Sequence, residues 1–190
     1  MTDDRTATVL VVDDEPDIAD LYSAWLAADH QVRTAYGGSE ALEKMDEAVD
    51  VVFLDRQMPE YSGDDVLDRI RERGLDARVV MVTAVDPDFD IVDMHFDDYL
   101  TKPVMGEDLE DSVATMLERE GYDETLQQYY AMSAKKATLE AEKPTSELDG
   151  HEEYEELVRR VDELATHADD AVGGFEDDFE SLFQELPGGD

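Results

Sequence analysis

The 190-residue sequence carries 52 acidic against 15 basic residues, a formal charge of −37, with 42% hydrophobic residues and no cysteine. This surplus repels phosphate backbones and disfavours non-specific nucleic-acid binding, and without cysteine there are no disulfides or thiolate metal sites. No signal peptide or apolar run of membrane-spanning length is present, so the chain is expected to be cytoplasmic with no membrane partner.

Residues 1–120 alternate strand and helix patterns. Val9-Leu10-Val11-Val12 is continuously apolar, as a strand covered on both faces should be. Pro16 marks a helix start, followed by Ile18, Leu21, Tyr22 and Trp25 at helical spacing. Gln31 to Ala35 reads as a second strand, and Ser39 is expected to cap a helix carrying Ala41, Leu42 and Met45. A third strand, Val51 to Leu54, ends at Asp55, and the next helix carries Val66, Leu67 and Ile70. A fourth strand runs from Arg78 to Val82 and ends at Thr83. A short fifth, Asp98-Tyr99-Leu100, precedes Lys102-Pro103, and Leu109, Val113, Met116 and Leu117 form the last stripe of this region. Such βα repetition implies an α/β fold, a doubly wound five-stranded parallel sheet with helices on both faces.

Gly121 breaks the pattern, and residues 121–190 read as a small all-α region. One helical stripe passes through Leu126, Tyr129, Tyr130, Ser133 and Ala137, and Pro144-Thr145-Ser146 interrupts it. Tyr154, Leu157, Val161, Leu164, Ala168 and Ala171 then recur in alternating steps of three and four, a heptad seam that packs within its own chain or forms a homodimer. Phe175, Phe179, Leu182 and Leu186 mark one face of a short final helix. The expected shape is a helical hairpin around Pro144 with a third short helix.

The chemistry lies at the strand ends of the first region. Asp13 and Asp14 follow the first strand, Asp55 the third, Thr83 the fourth and Lys102 the fifth. Open α/β sheets place their ligands at the carboxyl ends of their strands. Moving a phosphoryl group onto a carboxylate gathers negative charge, and clustered carboxylates with retained waters suit a magnesium ion. Lysine adds a mobile positive charge and threonine a hydroxyl donor, so the protein contributes mainly positioning and charge stabilisation. The four histidines are scattered without ligand spacing.

These residues sit in recognisable surroundings: Val11-Val12-Asp13-Asp14-Glu15-Pro16, Asp55-Arg56-Gln57-Met58-Pro59 with Gly63, Thr83-Ala84, and Asp98-Tyr99-Leu100-Thr101-Lys102-Pro103. In these motifs residues 1–120 resemble a response-regulator receiver domain of flavodoxin-like fold. The resemblance implies that Asp55 accepts phosphate from a sensor histidine kinase. It also implies that Asp14, Asp55 and the backbone carbonyl of Gln57 bind Mg2+, with Asp13 acting through water. Thr83 and Tyr99 would form the switch pair, the aromatic turning inward as the threonine follows the phosphate. Such a protein is a signalling switch rather than an enzyme, with at most self-catalysed phosphoryl transfer and autodephosphorylation. Three features depart from the family pattern. The segment between Ala84 and Asp97 is a few residues short, so the helix there is expected to lose about one turn; His95 stands where many receivers have glycine; and Arg56 points either to the opposite face of the sheet or to the site rim.

Residues 121–190 resemble the HalX domain found after receivers in salt-loving archaea, in the run Tyr122 to Lys143 with Tyr129-Tyr130 and Lys135-Lys136-Ala137-Thr138-Leu139-Glu140. Its five bases, Lys135, Lys136, Lys143, Arg159 and Arg160, are too few for a phosphate-tracking face. The leading expectation is therefore a phosphorylation-dependent switch whose helical tail contacts an unidentified output protein. A DNA-binding transcriptional regulator is the alternative, less favoured by the charge, and a phosphate sink is a third reading.

At molar ionic strength the Debye length is only about 3 Å, against about 10 Å at 0.1 M, so crowded surface carboxylates repel little in high salt and strongly in dilute buffer. The thermal midpoint followed by circular dichroism is accordingly expected to fall as potassium chloride is reduced from molar to millimolar concentration. A midpoint that ignores salt would contradict this reading of the surface.

Overall fold

Five parallel strands follow the expected alternation: β1 (Thr8–Val12), β2 (Gln31–Ala35), β3 (Val51–Leu54), β4 (Arg78–Thr83) and β5 (Asp98–Thr101). The computed structural model describes residues 6–172 apart from 121 and 123, with side chains to residue 166 at the C-terminal end. The order across the sheet is β2-β1-β3-β4-β5. Val12 is in register with both Ala35 and Leu54, so β1 and β3 are neighbours and their ends meet.

Two faces of burial explain the apolar runs. Val9, Val11, Val51, Phe53, Val80 and Val82 share one core with Tyr22 and Leu26 of α1 (Pro16–Leu26) and Leu109, Val113 and Met116 of α4 (Gly106–Arg119). Leu10, Val12, Val52, Leu54, Val79 and Met81 alternate with them and are equally buried. So are Ala41 of α2 (Gly38–Lys44) and Val66, Leu67 and Ile70 of α3 (Gly63–Glu72). Each fully buried Val or Leu stabilises by about 1.5–3 kcal/mol, and β1, β3 and β4 draw on that at nearly every position.

Some local expectations are corrected. The start of α2 is capped by Gly37 and not by a side chain, so Ser39 sits inside the helix. Leu21 lies on the outer side of α1 and is exposed, while Ala19 and Leu26 complete the buried face. Between β4 and β5 no α-helix forms among the described residues. Only a five-residue 3-10 segment, Phe89–Asp93, remains. His95 requires no left-handed backbone, since Glu60 is the one non-glycine residue with positive φ among those described.

The contact pattern separates two units, one of residues to Asp86 with Asp93–Gly121, the other of Pro87–Val92 with residues from Tyr122 onward. The second unit is helical. It contains α5 (Glu124–Glu142), the single turn α6 (Thr145–Leu148) and α7 (Glu152–Val172). The hydroxyl of Tyr154, near the start of α7, donates to Glu140 Oε1, near the end of α5, at 2.6 Å, as an antiparallel hairpin requires. Burial and the Glu140 charge both push the Tyr154 phenol well above its ordinary pKa. The seam of α7 packs against α5 within the chain. Leu157 is its fully buried member, whereas Val161 and Leu164 are half-buried. Tyr129 and Leu139 are buried on α5, and so is Lys135, one of the five bases of this region. The proposed final helix at Phe175–Leu186 lies outside the described residues.

At Gly63, as at Gly38, packing tolerates no side chain. A Cβ on Gly63 would lie 2.3 Å from the Asp55 carbonyl oxygen and 2.7 Å from Arg56 Cα. Gly63→Ala is expected to lower stability by about 1–3 kcal/mol through overpacking against this backbone, read as a lower urea midpoint in high salt. An unchanged midpoint would mean that the α3 start can slide away from β3.

Candidate functional site

The order β2-β1-β3 makes the ends of β1 and β3 a topological switch point, because the chain leaves β1 in one direction and resumes at β3 on the other side. The Val12–Leu54 pairing brings the Asp13-Asp14 pair beside Asp55. One carboxylate oxygen from each of Asp13, Asp14 and Asp55 lies within 4.8 Å of the others. Asp13 and Asp55 are buried, Asp14 half-buried.

Local bonds hold these carboxylates. Asp13 Oδ1 accepts from the Glu15 N–H at 2.9 Å, which turns the chain into Pro16 and α1. Asp55 Oδ1 accepts from the Gln57 N–H at 3.3 Å, placing Gln57 on the loop that leaves the site. The loop is then fastened to α3. Ser62 and Asp65 form a reciprocal capping box, and the Gly63 N–H donates to the Arg56 carbonyl at 2.8 Å. The fork of Arg56 grips the Asp64 carboxylate at 3.1 Å from both Nε and Nη2, so Arg56 turns to the α3 start. The sequence reading assigned no part to Ser62, Asp64 or Asp65, although the Ser-x-x-Asp spacing ahead of an apolar stripe was a visible capping signal.

Lys102 reaches the same carboxylates from the end of β5. Its Nζ stands 2.6 Å from Asp13 Oδ2 and 3.2 Å from Asp55 Oδ2. Burial alone would lower the lysine pKa, but the Asp13 hydrogen bond and the charges of Asp55 and Asp13 outweigh it and hold it above its ordinary value. Asp13 is also raised, chiefly by burial, with the Asp55 charge adding and Lys102 opposing. Both shifts favour the protonated form, that of Lys102 through its carboxylate neighbours and that of Asp13 chiefly through burial. Three carboxylates against one ammonium offer hard oxygen donors to a divalent cation, so the residues present fit magnesium.

Thr83 is buried and its Oγ1 accepts from the Val85 N–H at 3.2 Å. Tyr99 is buried as well, and its hydroxyl donates to the Val85 carbonyl at 2.8 Å. Both members of the expected switch pair therefore hold the main chain of one residue, Val85, which the sequence reading did not single out. Asp13, Asp14, Asp55 and Lys102 form one cluster, and Thr83 and Tyr99 form a second arrangement around Val85.

A family model described as the response regulator receiver domain matches residues 9–114, and one described as the HalX domain matches residues 118–183. A Haloferax volcanii protein whose name describes it as a transcriptional regulator is 46% identical over 165 residues, 86% of this chain and 28% of that protein. The chain thus spans less than a third of that relative's length. The BeF3-activated receiver domain of DrrB, from Thermotoga maritima, is 31% identical and superposes with a TM-score of 0.56 over 60% of this chain and all of that one. TrrA from Thermotoga maritima, solved in complex with Mg2+ and BeF, is 32% identical with a TM-score of 0.51 over 58% of this chain and 99% of that one. No described helix is long and apolar enough to cross a membrane.

The raised pKa of Asp13 has a stability consequence. The folded chain binds more protons than the unfolded one between the ordinary and the raised value, so stability falls as pH rises through that window. At neutral pH the ionised side chain opposes folding. Asp13→Asn is expected to raise the urea midpoint at neutral pH in metal-free, high-salt buffer, with the gain shrinking as the pH falls below the carboxylate range. A lower midpoint would show that the Lys102 contact outweighs burial.

Proposed function

The chain belongs to the response regulator receiver family, with a HalX domain following the receiver, and on that premise we propose that Asp55 accepts a phosphoryl group from a sensor histidine kinase. The observation that carries the proposal is the clustering of Asp13, Asp14 and Asp55 within 4.8 Å, bridged by Lys102. In the transfer a bond forms between phosphorus and a carboxylate oxygen of Asp55, while the bond between phosphorus and the donor imidazole nitrogen breaks.

The residues divide the work. Asp55 is held by the Gln57 N–H at one oxygen, and its other oxygen lies beside Lys102. Lys102 can leave Asp55 for the incoming phosphoryl oxygens without losing Asp13, to which it is closer. The Thr83 hydroxyl would donate to another phosphoryl oxygen. Asp14, Asp55 and the backbone carbonyl of Gln57 would hold Mg2+, with Asp13 acting through a bound water. When bound, the ion neutralises the charge that gathers as phosphate approaches three carboxylates. Positioning and charge compensation of this kind constitute most of the catalysis in phosphoryl transfer.

The phosphorylated state acts by population shift. A phosphoryl group that draws Thr83 toward Asp55 favours whichever arrangement of Val85 tolerates that movement. The output is a contact of the helical region with a protein partner. A second reading, control of transcription, is favoured by the name of the Haloferax volcanii relative, whose similarity extends over 86% of the chain. The five bases of the helical region limit direct DNA contact, and Lys135 is buried. On either reading Asp55 governs the response.

Incubation with acetyl phosphate and magnesium in high salt, followed by intact mass, is expected to add one phosphoryl group. The addition should disappear in Asp55→Asn and be strongly reduced in Asp14→Ala. A folded chain whose mass stays unchanged would overturn the proposal.

A further inference from the structure

A five-residue 3-10 segment, Phe89–Asp93, lies between β4 and β5. Pro87–Val92 lies in the same unit as α5 and α7. Several contacts hold it there. Lys135 Nζ, from a side chain that is 2% exposed, donates to the Val92 carbonyl at 2.9 Å. The Phe89 ring stacks on His151 with centroids 3.4 Å apart and planes 7° from parallel. Lys143 Nζ stands 3.0 Å from Asp88 Oδ1 and 5.0 Å from the Phe89 ring centre.

These contacts differ in weight. Asp88 is 68% exposed, so its ion pair with Lys143 contributes little, the more so in high salt. A buried ammonium is another matter. It is strongly penalised unless its hydrogens find acceptors, which makes the position of the Val92 carbonyl matter to α5. Stacking of Phe89 on His151 fixes the segment sideways against the loop that enters α7.

At its other end the segment runs directly into the switch pair. Thr83 holds the Val85 N–H, Tyr99 holds the Val85 carbonyl, and Asp86 alone separates Val85 from Pro87. Main chain therefore links the Thr83 hydroxyl to the buried ammonium of α5, with no second molecule required.

We propose that residues 85–92 carry the state of Asp55 into the helical domain of the same chain, with Lys135 and Phe89 as the positioning residues that couple the segment to α5 and α7. This rests on Asp55 being the phosphoacceptor. The helical domain thereby receives the signal through a piece of the receiver built into its own structure.

Amide hydrogen exchange on the full chain in molar salt tests it, with and without acetyl phosphate and magnesium, and with phosphoryl occupancy read by intact mass. Phosphorylation of the unaltered chain is expected to change exchange in residues 88–92 and in α5 by roughly tenfold, within the usual range of coupling between sites. Lys135→Met and Phe89→Ala should be phosphorylated to the same extent yet lose the change in α5. An unaltered chain that is phosphorylated while α5 exchange stays the same would overturn the proposal, as would variants that keep the full response. A phosphate-free arm separates this inference from the proposed function. Thr83→Ala removes the acceptor of the Val85 N–H and should alter exchange in 88–92 and α5 even if no phosphoryl group is ever taken up, whereas unaltered exchange there counts against the transmission segment itself.

Discussion

One ammonium set among crowded carboxylates is the constraint on which this protein depends. Two like charges about 4.8 Å apart repel by on the order of 3 kcal/mol at an effective protein dielectric of about 20, and Asp13, Asp14 and Asp55 place carboxylate oxygens within that distance. Lys102 offsets part of the repulsion by contacting two of the three. The remaining carboxylate oxygens are hard donors of the kind that suits a divalent cation. A fold that keeps such a site must supply the stability elsewhere, and the sheet buried on both faces does so.

The backbone around the site is fixed more firmly than the site itself. Gly63 allows α3 to begin against the Asp55-Arg56 main chain, the capping box of Ser62 and Asp65 secures that start, and Arg56 clamps Asp64 beside it. Asp13 is held by the Glu15 N–H where the chain turns into α1. Lys102 reaches the site from the end of β5, and after Thr83 two side-chain hydrogen bonds hold the main chain of Val85.

High acidity has different consequences in the two parts of the chain. In the receiver the sheet brings part of it together as the cluster of Asp13, Asp14 and Asp55. In the helical region it lies mainly on α7, where pairs such as Arg159 with Glu156 and Glu163 are exposed and screened by salt. The buried Lys135 is the exception, a base taken out of the surface and tied to the main chain at Val92.

The strands, and the carboxylates and lysine at their ends, were legible in the sequence because each depends on short-range pattern. A two-sided strand must be apolar throughout, and a carboxylate that follows it must emerge at its end. The stripe of α3 was readable for the same reason, and its capping box would have been. The cap of α2 was misread because Ser39 has the right chemistry but the helix begins one residue earlier. The sequence by itself thus determined the parallel sheet and the acidic cluster with its lysine. Tertiary structure alone decided that Val12 pairs with Leu54, which brings the carboxylates together, that Thr83 and Tyr99 meet on Val85, and that Pro87–Val92 packs with the helices rather than forming a full helix between β4 and β5. Those outcomes depend on contacts between residues far apart in the chain, which no local periodicity encodes.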